Sequence, residues 1–174
     1  MDKKMEKAMN EQITKELYSS YLYLGMVAYF EAENLGGFAQ WMKIQAAEEI
    51  SHAMKFFNYI NERGGTVILE AIDKPPAKYV SPEDVFKKTL EHEKFVTASI
   101  NDLYTLAKEI NDNASLIFLE WFVTEQVEEE KNPSDILGKL KYVVNQPAGI
   151  LMMDKELGAR ALPVFQPNGE IAGG

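Results

Sequence analysis

The sequence predicts an all-α protein: a four-helix bundle with one long crossover loop and a short fifth helix near the C-terminal end. Three observations predict it. Four long segments repeat their apolar residues at helical spacing. Two of the three connections between them, Leu35 to Gly37 and Asn111 to Asn113, are too short to do anything but fold the next helix back on the last. The third connection, Gly64 to Ser81, contains 18 residues. Fully extended, it reaches roughly 59 Å, enough to run the length of a bundle.

The first helix is expected over about 2–34, where Met9, Ile13, Val27 and Phe30 form one stripe and Leu35-Gly36-Gly37 ends it. The second is expected over about 38–63, with Met42, Phe56 and Ile60 on one face and Gly64-Gly65 as the stop. Ser81 reads as the N-cap of the third, with Pro82 at its first position and Glu83 and Asp84 in the first turn. That helix reaches about Ile110. The fourth runs from about Ala114 to Val144, and Asn145-Gln146-Pro147 ends it. A shorter amphipathic segment, about 148–159, follows. Residues 1–160 are expected to form one domain, and 161–174, with Pro163, Pro167 and Asn168-Gly169, a flexible tail. Each long helix spans about 40–48 Å at 1.5 Å per residue. One proline stands inside the fourth helix. Pro133 removes an amide donor and crowds the carbonyl of Glu129, which predicts a kink or local opening there.

Composition narrows the function. The chain has 174 residues, enough for one good core, and a formal charge of −9, which disfavours nucleic acid and favours cations. With no cysteine, disulfides, thiolate zinc sites and cysteine-bound iron–sulfur clusters are excluded. The charged start, Met1-Asp2-Lys3-Lys4-Met5-Glu6-Lys7, has no apolar signal core, and no apolar run is long enough to span a bilayer. A cytoplasmic protein with no membrane partner is expected.

The polar residues on the apolar stripes carry the chemistry. The inward rows read Met9, Ile13, Glu16, Ser20, Tyr23, Val27, Phe30; then Phe38, Met42, Gln45, Glu49, His52, Phe56, Ile60; then Phe86, Glu93, Val96, Ile100, Leu103, Ala107; then Leu119, Phe122, Gln126, Glu129, Ile136, Leu140, Val143. Every helix drives a carboxylate inward, near its middle. A bare buried carboxylate costs several kcal/mol, and these rows offer no Lys or Arg to offset four of them. A pair of divalent cations supplies the missing charge. Glu49 and His52 share a helix face at i, i+3, which is half of a bundle-core di-metal motif. Oxygen ligands with one imidazole suit Fe(II) or Mn(II), with Zn(II) a competitor. His92, about 100° round the helix from Glu93, is read as a surface or interface residue.

The segments Glu16-Leu-Tyr-Ser-Ser-Tyr-Leu-Tyr23, Glu48-Glu49-Ile-Ser-His52-Ala-Met-Lys55, Glu62-Arg-Gly-Gly65, Glu91-His-Glu93, Trp121-Phe-Val-Thr-Glu125-Gln126-Val-Glu128-Glu129-Glu130 and Asp154-Lys-Glu-Leu157 together resemble the prokaryotic non-haem ferritins, over about 5–160. The resemblance implies a ferritin-like bundle that oxidises Fe(II) with O₂ or H₂O₂ and stores ferric mineral inside a homo-oligomeric cage of twenty-four subunits. It implies a first iron at Glu16, Glu49 and His52 and a second at Glu49, Glu93 and Glu129, with Glu49 bridging and Gln126 beside the second. Glu48, Glu125 and Glu128 match a third iron site of the family; the alternative reading of Glu125 and Glu128, from the residues alone, is a solvated acidic helix face. Tyr23 and Trp121 match aromatics that supply electrons in the family, and simple core packing also explains them. No haem is expected, because Ile50 stands where bacterioferritins carry a haem-ligating Met. Leu116 and Leu119 stand where animal ferritins line a channel with acids, so no acidic entry route is expected there.

The fourth helix carries Gln126-x-x-Glu129 where a stable di-iron cofactor enzyme carries Glu-x-x-His. The second site is thus poor in nitrogen ligands, which suits exchangeable iron. Two rivals stand beside this reading. One is a stand-alone di-iron oxidase or peroxidase of the rubrerythrin kind, disfavoured by the missing cysteines and the missing histidine. The other is a scaffold bundle whose acids are solvated.

Overall fold

The computed structural model describes residues 1–161. It contains α1 (Lys3–Ala32), α2 (Gly36–Glu62), α3 (Pro82–Glu109), α4 (Asn113–Val143) and α5 (Pro147–Leu157). The expected boundaries are met within about two residues. The tail expected for 161–174 lies, from residue 162 on, outside the described residues.

The helix ends follow from local chemistry. Asp2 Oδ1 accepts from the amides of Lys4 and Met5, and Ser81 Oγ accepts from Asp84 N with Pro82 just inside the helix. Asp112 caps α4 through Ser115 N. The α1–α2 and α3–α4 turns each use an asparagine in the left-handed region, Asn34 (φ 57°) and Asn111 (φ 58°), which asparagine tolerates better than most residues. Gly64 (φ 67°) closes α2 in the same way.

The crossover settles the topology. Its start is fixed beside Asn10, whose side chain bonds Thr66 O and Ile68 N. Its middle passes Gly25, where an added Cβ would sit 3.4 Å from Pro76 O. Its end packs Tyr79 on Tyr29, ring centroids 5.6 Å apart. Contacts at residues 10, 25 and 29 in turn mean that the loop runs along α1, so α3 starts at the end of the bundle where α2 began. The Arg63–Asp112 ion pair at 3.1 Å then joins the end of α2 to the start of α4.

α4 is continuous through Pro133, so the expected local opening is not seen. Pro133 itself is buried, and Ile136 and Leu140 in the following turns are anchored in the core. That packing holds the helix together across a position that has no amide to give to Glu129 O.

The core divides into two apolar halves. One contains Met26, Phe30, Phe38, Trp41, Phe86 and Leu140. The other contains Met9, Ile13, Phe56, Ile100, Leu119 and Phe122. On each helix the inward carboxylate falls between residues of one half and residues of the other. The four glutamates therefore form a polar layer, sealed at both ends by hydrocarbon.

α5 docks on the start of α2. Asp154 Oδ1 accepts from the amides of Gly37 (2.7 Å) and Phe38 (3.0 Å), which gives α2 a cap from a distant part of the chain. The approach leaves no room for a side chain: a Cβ on Gly37 would lie 1.6 Å from Asp154 O. Gly37→Ala is expected to force α5 away and to lower stability by about 1–3 kcal/mol, measured by thermal unfolding. Gly36→Ala, where a Cβ meets nothing within 4 Å, is the control and should change little.

Candidate metal centre

Glu16 comes from α1, Glu49 and His52 from α2, Glu93 from α3 and Glu129 from α4. All five are buried, none more than 4% exposed. Two groups of three share Glu49. Glu16, Glu49 and His52 bring ligand atoms within 4.8 Å of one another, and so do Glu49, Glu93 and Glu129. Both expected triads are thus brought together, and they share the Glu49 carboxylate. A third group, His52, Glu125 and Glu129, adjoins them.

Few donors reach these oxygens, and each comes from an oriented partner. Gln12 Nε2 donates to Glu16 Oε1 at 2.8 Å. Its amide is fixed because Ser99 Oγ donates to Gln12 Oε1 (2.6 Å), while Lys15 donates to Ser99 (2.5 Å). On the opposite side Gln45 Nε2 donates to Glu129 Oε2 at 2.6 Å. Tyr23 Oη donates to Glu93 Oε1, and Gln126 Nε2 lies 3.3 Å from Glu93 Oε2. Among the described residues no donor reaches Glu16 Oε2 or Glu49 Oε2, both buried; only a proton shared between the two carboxyls would pair them, and His52 Nδ1 stands 3.5 Å from the latter. Orphaned buried oxygens are costly and rare in native cores. Here they face a shared space with an imidazole nitrogen, a donor set that fits a divalent cation.

The electrostatics agree with that fit. Burial raises the pKa values of all four central carboxyls: Glu16 modestly, Glu93 to about 7, Glu49 and Glu129 well above the carboxylate range. For Glu49 and Glu129 the Glu93 charge adds to burial. Burial, with Lys55 nearby, lowers His52 to about 3, so the ring is neutral and its lone pair is available to a metal. Tyr23 is held well above its ordinary value, first by burial and then by Glu93, so it stays a donor. Tyr23→Phe is expected to weaken cation binding at the Glu93 side about 10-fold, measured by anaerobic Fe(II) titration, because outer partners orient the ligands.

The flank is more exposed than the centre. Glu48 and Glu125 are half-buried and Glu128 is exposed. Among the described residues these three do not gather their oxygens into one close group. They do sense each other: after burial, Glu128 and then Glu48 raise the Glu125 carboxyl. Trp121 meets the His52 ring edge-on at 5.4 Å, with Lys55 Nζ 4.2 Å from the indole.

His92, read as a surface or interface residue, is half-buried in the single chain: its Nε2 lies 2.7 Å from Ser19 Oγ, and Tyr18, Tyr23 and Phe95 stand around the ring. Burial lowers it to about 4. Sequence reasoning also missed Gln12 and Arg160. The i, i+4 spacing of Gln12 and Glu16 was a usable signal; for Arg160 there was none.

A family model, the Ferritin-like domain, matches residues 6–143. The chain belongs to the ferritin family. A bacterial non-heme ferritin of Bacteroides fragilis is 42% identical over 160 residues, covering 92% of this chain and 99% of that protein. A probable bacterial non-heme ferritin-like protein of Haemophilus influenzae is 41% identical over 152 residues, covering 87% and 92%. The open pore ferritin of the hyperthermophilic archaeon Archaeoglobus fulgidus superposes with a TM-score of 0.92 at 44% identity, covering 92% of this chain and 99% of that one. Family membership supports a role in iron storage for this ferritin. No helix among its described residues is long and apolar enough to cross a membrane.

Proposed function

We propose that this ferritin stores iron by oxidising Fe(II) at the four-carboxylate layer and depositing the ferric product inside a hollow cage of twenty-four copies in the cytoplasm. Iron is here the substrate and cargo. The observation that carries the reading is Glu49, one carboxylate shared by two buried triads. Glu16 and His52 hold one Fe(II) with it, and Glu93 and Glu129 hold the other. Each Fe(II) gives one electron, so a pair reduces O₂ to H₂O₂, or H₂O₂ to water. The apolar halves above and below keep bulk water from the pair. Glu16, Glu49, Glu93 and Glu129 release their protons as the cations enter, because a positive charge stabilises the ionised form.

Gln126 and Tyr23 orient Glu93 rather than bind tightly, which leaves the second position oxygen-rich and exchangeable. That suits passage of Fe(III) to a store. Glu125, Glu128 and Glu48 lie on the side of α2 and α4 toward which the product then moves. Haem has no role in this reading.

Size-exclusion chromatography during aerobic Fe(II) loading tests it. A very large particle that takes up many more than two irons per chain is expected. A small oligomer that stops at two irons per chain is a stand-alone oxidase, and a chain that takes up none is a scaffold.

A further inference from the structure

Arg160 supplies a cation that the helix rows lack. It lies three residues beyond α5, yet its guanidinium reaches back over α2. Nη2 donates to both oxygens of Glu48, at 2.8 and 2.7 Å, and Nη1 donates to Gln45 Oε1. The guanidinium carbon stands 5.3 Å from the Trp41 ring centre. Neither partner is free in water: the Arg160 side chain is 28% exposed and that of Glu48 is 21%. The other end of the Gln45 amide donates to Glu129. One guanidinium thus holds a flank carboxylate directly and a central carboxylate through one amide.

A fork-shaped, charge-assisted pair of this kind occupies the oxygens that a metal would need. A divalent cation at Glu48 and a guanidinium at Glu48 exclude each other, by space and by charge. The link through Gln45 sets the order. Cations in the centre would draw Glu129 toward themselves and so take away the acceptor of Gln45. Their charge would also repel Arg160. Both effects would loosen the guanidinium once the centre is full.

We propose that Arg160 is a latch on the flank of the centre: it occupies Glu48 until the central pair is loaded, and its release opens Glu48, with Glu125 and Glu128, to a third cation. The inference rests on the metal-centre reading above and deepens it. Because Asp154 fixes α5 to the start of α2, the latch is set by how α5 docks.

The test is a Zn²⁺ titration of crystals of the full chain and of its Arg160→Gln variant, read from anomalous density rather than from activity. In the unaltered chain, two central cations should appear first. A third, at Glu48, should appear only at higher Zn²⁺ and with the guanidinium displaced. In Arg160→Gln the third cation should appear at about 10-fold lower Zn²⁺, within the usual range of coupling between sites. Equal Glu48 occupancy in the two proteins overturns the latch and leaves the centre standing. No cation in the centre of either overturns the metal-centre reading and the latch with it. Should Arg160→Gln not fold, the unaltered chain decides: zinc at Glu48 beside a displaced guanidinium supports the proposal. Zinc there with the pair intact, or no zinc there at tens of millimolar, overturns it.

Discussion

Glu49→Gln is expected to lower the initial rate of Fe(II) oxidation at least about 100-fold, since even the outer partners of a metal ligand are worth 10–100-fold. Glu49 belongs to both triads, so its loss damages both at once, whereas Glu16→Gln or Glu93→Gln each damages one. The same substitution should make the metal-free protein more stable. Glu49 Oε2 is buried and receives no donor among the described residues, and the carboxyl is held well above its ordinary value by burial and by Glu93, Glu16 and Glu129. An amide removes the ionisable group from that crowd. A stopped-flow oxidation trace and a thermal melt in chelator test the two halves separately. A variant that loses activity and also unfolds more easily would show that Glu49 has a structural role, not a metal-binding one.

The metal-free protein should lose stability as pH rises through about 7. A carboxyl whose folded pKa is raised stabilises the fold fully below its unfolded value. That contribution falls as pH rises and is gone above the folded pKa. For Glu93 the window runs from 4.5 to about 7, and Glu49 and Glu129, both raised well above 4.5, act with the same sign. His52 acts with the opposite sign: its folded pKa of about 3 lies below 6.5, so it costs stability as pH falls below 6.5. The two effects oppose each other between 4.5 and 6.5, and above 6.5 only the carboxyls act. Saturating Zn²⁺ should abolish the decline, because the bound cation keeps the carboxylates ionised at every pH in the range. Melting curves at several pH values, with chelator and with Zn²⁺, measure this. A flat profile with chelator would mean that the carboxyls are hydrated or otherwise paired.

Much of the architecture was legible because local rules and long-range demands agree along this chain. Ser81-Pro82 marks a helix start, and three-residue turns leave only antiparallel neighbours. The one long connection had to cross the bundle. The central site was legible for a different reason. Glu16, Glu49, Glu93 and Glu129 break the apolar pattern of their helices at the same level, and an interruption of that kind has a physical cost that needs a cause.

What escaped the sequence depended on the third dimension. His92 lies off its helix's inward row, and the packing of α1 against α3 half-buries it and gives its ring Ser19 and three aromatic neighbours. Arg160 follows a short helix whose docking angle no periodicity encodes, so its reach to Glu48 could not be anticipated. Pro133 was expected to open α4, and the helix instead stays continuous because the next two turns are locked into the core. In each case tertiary packing overrode a local rule.

Diffraction at the iron absorption edge, on crystals soaked anaerobically in Fe(II), tests the central claim most directly. Two anomalous peaks inside each bundle are predicted, one between Glu16, Glu49 and His52 and the other between Glu49, Glu93 and Glu129, with Glu49 touching both. A bundle centre without iron at saturating Fe(II), its carboxyls paired with one another or with water, would contradict the account.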